Sequence, residues 1–144
     1  MDTAFDTKIS ELCKAKQLRL TPQRLDVLKV INRLGEATGA YALLDILKPD
    51  HPKMTITSLY RILDFWVEQG LVHKINGLNA YIACNDPHDE HAHVLMFCDT
   101  CNKTVEICDH KAGFDAAATA GAQGFSKTAK QLVEFRGICQ DCAG

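Results

Sequence analysis

No stretch of this 144-residue chain holds more than a handful of consecutive apolar residues, which excludes a membrane-spanning helix of about 20 residues. Proline is scarce at four residues and glycine stands at nine, so collagen-like and low-complexity disordered classes are excluded as well. Charge of one sign is also missing: the net value of -2 announces no global affinity for nucleic acid. Met1-Asp2 opens a polar helix and not a basic, apolar leader, which makes the cytoplasm the expected compartment.

What the chain does have is seven Cys and six His. An odd cysteine count in a reducing compartment argues against a disulfide framework and leaves metal binding, redox chemistry or burial. The distribution is uneven. Residues 1–82 carry eleven Lys and Arg against nine Asp and Glu, or +2, whereas residues 83–144 carry five against nine, or -4. Of the Cys and His, only Cys13, His51 and His73 precede residue 83. Two modules with different tasks are expected.

In the first module Phe5, Ile9, Leu12 and Cys13 follow amphipathic helical spacing, which predicts a helix ending near Gln17. Thr21-Pro22 supplies an N-cap followed by proline at the first helical position, where its missing N–H costs nothing. Leu25, Leu28, Ile31 and Leu34 carry that helix to Gly35. A third helix is predicted over 40–48, ahead of Pro49. Thr55 caps a fourth, whose broad apolar face is Ile56, Leu59, Ile62, Leu63, Trp66 and Val67 and which ends at Gly70.

The period then changes. Residues 71–75 and 80–84, joined by Asn76-Gly77-Leu78-Asn79, read as a β-hairpin. Helices followed by a hairpin are the element order of a winged helix, in which the last helix enters the major groove and the hairpin is the wing. Away from the apolar stripe that helix presents Thr57, Ser58, Tyr60, Arg61 and Asp64. Hydroxyls there suit phosphate, and one guanidinium can grip a guanine edge with two hydrogen bonds. A merely solvated face is the competing reading of those five residues.

In the second module Cys98-Asp99-Thr100-Cys101 and Cys139-Gln140-Asp141-Cys142 are two Cys-x-x-Cys pairs with 37 residues between them. Two such turns complete a tetrahedral four-cysteine zinc site. A thioredoxin-like redox pair would need a strand-to-helix junction that neither pair has. The intervening chain reads as a strand over 104–108, an Ala-rich helix over 111–122 and a strand over 132–135. Cys84, His88, His91, His93 and Glu106 gather about the segment 84–90, which reads as a hinge. With a four-residue turn His73 faces Ile82, so Cys84 is its diagonal neighbour and the two could share an ion.

The chain resembles the ferric uptake regulator (Fur) family along nearly its whole length. The residues that carry the likeness are Leu20-Thr21-Pro22-Gln23-Arg24, Ser58-Leu59-Tyr60-Arg61-Ile62-Leu63, His91-Ala92-His93 ahead of Cys98, and Gly137-Ile138-Cys139. Asp64-Phe65-Trp66-Val67-Glu68-Gln69-Gly70-Leu71-Val72-His73-Lys74 and Asn79-Ala80-Tyr81-Ile82-Ala83-Cys84 are similar to its zinc uptake regulator branch. The resemblance implies an α+β chain: an N-terminal winged-helix DNA-binding domain (1–83), a hinge (84–90) and a small α/β dimerisation domain (91–144). It implies a zinc-responsive repressor, not an enzyme, that binds double-stranded operator DNA as a homodimer and controls zinc uptake genes, with no membrane partner and no small-molecule substrate besides zinc.

The same resemblance implies two Zn2+ per subunit: a structural ion on Cys98, Cys101, Cys139 and Cys142, and a regulatory ion on His73, Cys84, His91 and Glu106. Lys130 stands where many members place a histidine, which puts a third site, and a partner for His93, in doubt. Independently, a thiolate among imidazoles and a carboxylate suits Zn2+ better than iron or manganese. Arg61 and Tyr60 are the expected base readers, with Thr57 and Ser58 nearer the helix start and Gln23, Arg24 and Tyr41 on the DNA backbone. Cys13 and Cys108 are expected to be buried, and His88 and His110 exposed. Competing readings are a thiol redox enzyme, a zinc-storage or adaptor protein, and a family member that senses iron, manganese or peroxide.

Overall fold

Two helices of the first half begin where the sequence supplies a side-chain cap. The computed structural model describes residues 3–84, 93–108, 116–126 and 132–144. It runs α1 (Thr3–Ala15), α2 (Pro22–Leu34), α3 (Ala40–Leu47), α4 (Ile56–Glu68), β1 (Val72–Ile75), β2 (Ala80–Ala83), β3 (His93–Cys98), β4 (Thr104–Cys108), α5 (Ala116–Ala122), β5 (Leu132–Gly137) and α6 (Gln140–Ala143). Thr21 Oγ1 accepts the Arg24 N–H at 3.2 Å with Pro22 in the first turn of α2, and Gly35 leaves that helix in the left-handed region at φ 64°. The first helix stops at Ala15, two residues short of the expected end. Gln17 turns left-handed (φ 57°) so that the Leu18 N–H reaches back to the Cys13 carbonyl, and Leu18 packs against the core.

Helix α4 starts with a capping box. Thr55 Oγ1 accepts the Ser58 N–H at 3.2 Å, and Ser58 Oγ accepts the Thr55 N–H at 3.0 Å. Its apolar face, Leu59, Ile62, Leu63 and Trp66, is buried against Val27, Leu28 and Ile31 of α2 and Leu43 and Leu47 of α3. Trp66 is fully buried, yet its indole N–H is satisfied by the Arg24 carbonyl at 2.8 Å. Thr55→Ala removes one side of the box and is expected to lower stability by about 1 kcal/mol, read from the denaturant midpoint.

The hairpin has the expected register, with His73 opposite Ile82 and Ile75 opposite Ala80. Thr38 adds a bridge to its far edge, exchanging two 2.9 Å hydrogen bonds with Tyr81. Because side chains alternate, Val72, Tyr81 and Ala83 turn towards the helices and join their core. His73, Ile75 and Ile82 turn the other way, where Ile75 and Ile82 bury with Leu95 and Phe97 of β3. The wing is therefore covered on both faces.

The second sheet has the order β4-β3-β5, with β3 antiparallel to β4 and parallel to β5. Leu95 stands opposite both Glu106 and Glu134, so these two carboxylates and His93, Leu95 and Phe97 share the face that meets the wing. The opposite face carries Met96, Val105 and Phe135, and Val105 and Phe135 are 43% and 60% exposed. The chain is thus α+β, with helices and wing first and the smaller α/β unit second. Of the Ala-rich helix expected over 111–122, 116–122 is helical, while 109–115 lie outside the described residues, as do 85–92, which cover most of the expected hinge.

Candidate metal centres and nucleic-acid interface

The two Cys-x-x-Cys turns meet. Cys98 ends β3, and the following turn closes through the Asn102 N–H to the Cys98 carbonyl at 2.9 Å, with Asn102 left-handed at φ 64°. Cys139 caps α6, which carries Cys142. The pairing of β3 with β5 in parallel brings the ends of both strands together, Cys98 opposite Gly137. The four Sγ atoms then lie within 4.8 Å of one another, and Cys101 and Cys139 are 3.7 Å apart. An Asp99–Arg136 ion pair of 3.0 Å and the Asp99 N–H to the Gly137 carbonyl tie the same two turns.

Ionisation in this group is unevenly shared. The Cys139 N–H, foremost, and then the Cys101 N–H lower the pKa of the Cys98 thiol to about 6. The Cys139 side chain, then that of Cys101, hold the Cys142 thiol up to about 12. Crowded thiols cannot all ionise without a cation among them, whereas a coordinated thiol gives up its proton outright. Four thiolates at one point fit a closed tetrahedral zinc site.

A second cluster forms between the wing and the sheet. His73 on β1, Cys84 just beyond β2, His93 at the start of β3 and Glu106 on β4 offer ligand atoms that all lie within 4.8 Å of one another. The Cys84 N–H reaches the Leu71 carbonyl at 2.9 Å, extending the hairpin by one pair and aligning the thiol with His73, as the register predicts. Glu106 Oε2 contacts His73 Nε2 and lies 3.3 Å from His93 Nδ1, and Cys84 Sγ is 4.0 Å from the same nitrogen. The imidazoles stand 4.9 Å apart, centroid to centroid, and the Glu106 side chain is only 3% exposed. His73 Nε2 is buried against the Glu106 carboxylate. A mixed N, S and O set whose ligand atoms converge in this way fits Zn2+.

Three of the four expected regulatory ligands, His73, Cys84 and Glu106, are brought together; His91 lies outside the described residues. His93, which the sequence groups with these residues but leaves in doubt as a ligand because of Lys130, occupies the fourth place in the described cluster. The signal that could have found it is strand parity: His93, Leu95 and Phe97 alternate on one face of β3.

The candidate DNA face is differentiated. Thr57, Arg61 and Asp64 of α4 are exposed, as are Gln23 and Tyr41, the latter 68%. Tyr60 is half-buried against the helical core. Ser58 spends its hydroxyl on the capping box, also donating to the Thr55 carbonyl at 2.9 Å. Arg24 stacks on the Phe65 ring, 3.9 Å from its centroid, and donates to the Arg19 carbonyl, so one edge of its guanidinium is already committed.

A sequence model of the ferric uptake regulator family matches residues 15–135. The zinc uptake regulation protein of Escherichia coli (strain K12) is 34% identical over 133 residues, 92% of this chain and 77% of that one. A zinc uptake regulator solved in complex with zinc and DNA superposes with a TM-score of 0.83 at 32% identity, covering 98% of this chain and 94% of the other. The holo form of XcZur gives 0.78 at 35% identity and 97% coverage of both chains. Its apo form gives 0.53 at 33% identity, covering 99% and 97%.

Proposed function

This chain belongs to the ferric uptake regulator family, and on that premise we propose that it is a zinc-responsive transcriptional repressor that binds operator DNA as a zinc-loaded homodimer and controls zinc uptake. Members of this family are transcription regulators. The observation that carries the choice of metal is Cys84: a thiol grouped with two imidazoles and a carboxylate is a donor set for zinc, whereas iron and manganese sensing would favour nitrogen and oxygen alone. The greater likeness in arrangement to the holo than to the apo form of XcZur supports the same reading, at nearly equal identity.

Two zinc ions per chain are proposed. Cys98, Cys101, Cys139 and Cys142 hold the structural one. His73, Cys84, Glu106 and His91 hold the regulatory one, with His93 the competitor for the fourth place. Zinc at that second site would supply a common partner for donors from both halves of the chain. The positions of those donors set the consequence for DNA: His73 and Cys84 belong to the hairpin that leaves the recognition helix, and Glu106 belongs to the sheet beneath it. Holding these together fixes the α4 helix relative to the sheet. The domain limits 1–83, 84–90 and 91–144 are proposed on the same basis.

Exposed Val105 and Phe135, on the sheet face away from the wing, with exposed Ile138 just past β5, give a second copy a surface to bury. Two copies joined there would present two α4 helices, and successive major grooves require a separation of about 34–36 Å or a multiple. No helix among the described residues is long and apolar enough to cross a membrane.

Arg61 is the proposed base reader. Its side chain is exposed, so Arg61→Ala should change folding stability by no more than about 0.5 kcal/mol. Operator binding should weaken by about 1–3 kcal/mol with relaxed preference at one base pair, seen by titrating operator variants. An unchanged preference would remove Arg61 from the base-reading role. The reading as a whole is tested by a gel shift with and without zinc, since a storage or adaptor protein would hold the metal yet leave operator DNA unbound.

A further inference from the structure

The wing is fastened to the sheet at a second point, by a residue outside both candidate metal clusters. At its turn, the backbone N–H groups of Asn76 and Gly77 donate to Oε2 and Oε1 of Glu134, both at 2.9 Å. Glu134 lies on β5 opposite Leu95, and Glu106 lies on β4 opposite the same residue. One carboxylate thus serves the base of the hairpin and the other its tip, with Ile75, Ile82, Leu95 and Phe97 buried between. Gly77 is part of the fit: a Cβ there would stand 2.6 Å from Phe97 Cζ and 3.3 Å from Glu134 Oε1.

We propose that Glu134 is a positioning residue for DNA binding: its carboxylate latches the wing turn to the sheet and so shares with the His73–Cys84–Glu106 cluster the work of setting the recognition helix. The inference rests on the functional reading above in taking operator binding as its output. A carboxylate is required because only it offers an acceptor to each of two parallel N–H groups, and both hydrogen bonds are strengthened by its charge. Glutamine of the same shape keeps one acceptor and turns an NH2 towards the second donor. Two fastenings on one rigid hairpin are coupled: loosening the tip lowers the population of the arrangement in which the base ligands converge.

The test is Glu134→Gln in the full-length protein, with operator affinity measured at saturating zinc and regulatory-site zinc affinity by chelator competition. Operator binding is expected to weaken about tenfold, and regulatory zinc to bind more weakly, while the four-cysteine site stays loaded. Electrostatics alone predicts the opposite sign, since removing a negative charge favours DNA. A role in stability alone would move the melting temperature and leave zinc affinity unmoved. The Asn76 and Gly77 amide proton resonances should also shift upfield in the variant. Operator and zinc affinities equal to those of the wild type would overturn the latch. Should E134Q not fold, Gly77→Ala keeps the carboxylate and pushes the turn from Phe97; the same weakening supports the latch and wild-type binding overturns it. A wild-type protein without zinc-dependent binding would bring down the functional reading and the latch together, whereas a zinc-dependent wild type beside an unaltered variant overturns the latch alone.

Discussion

Cys84→Ser is expected to abolish zinc-dependent operator binding while leaving a folded protein that still holds one zinc ion per chain. Cys84 is half-buried at the end of the hairpin, outside both hydrophobic cores, so replacing sulfur by oxygen costs the fold little. Its Sγ, however, lies within 4.8 Å of the ligand atoms of His73, His93 and Glu106. Loss of an outer-shell partner typically lowers metal affinity about 10–100-fold, and loss of a ligand should exceed that. Linkage then requires operator affinity at a fixed, limiting zinc concentration to fall with it. Metal content by mass spectrometry and a zinc-titrated gel shift read both effects. Zinc-dependent binding that survives in C84S would remove Cys84 from the regulatory site. Parallel His91→Ala and His93→Ala variants assign the fourth ligand: the true one should reproduce C84S, and the other should titrate as the wild type does.

The second large effect belongs to Cys101→Ser. Cys101 is exposed, and an exposed side chain with no special role changes stability by about 0.5 kcal/mol at most. As one of four thiolates on a structural ion it would do far more. Apparent binding free energies of structural zinc reach about 10–16 kcal/mol in small domains, and much of that is folding free energy. The site closes the ends of β3 and β5, the two strands that carry Met96 and Phe135 on the exposed apolar face. C101S should therefore lose the tightly held zinc, unfold at markedly lower denaturant and shift from dimer to monomer in sedimentation. A stable dimer with full zinc content would contradict the assignment.

The elements with local signals were readable directly. Thr21-Pro22, Thr55 and Gly70 bound their helices because capping is a matter of a few neighbouring residues, and Asn76 to Asn79 fixed a register that placed Cys84 beside His73. The Cys-x-x-Cys pairs carried their own geometry. What escaped was non-local. The apolar run Ala80-Tyr81-Ile82-Ala83 suits a hairpin buried on both faces, but the residues that cover its second face, Leu95 and Phe97 of β3, are distant in sequence. His93 and Glu134 reach the wing only because β4 and β5 flank β3 in one sheet, an order no single segment encodes. The candidate DNA face is narrower than residue chemistry suggests. Ser58 and Arg24 have the right chemistry for phosphate, but the capping box engages one and Phe65 with the Arg19 carbonyl the other.

On the proposed function, one zinc ion per chain would maintain the fold and a second, more weakly held, would control DNA. The direct measurement is metal content per chain followed alongside operator binding as zinc is withdrawn by a graded series of chelators. Two ions of unequal affinity are expected, with DNA binding lost as the weaker one leaves and the dimer intact until the stronger one dissociates. Operator binding that persists after the weaker ion has gone, or that falls only when the dimer dissociates, would contradict the proposal.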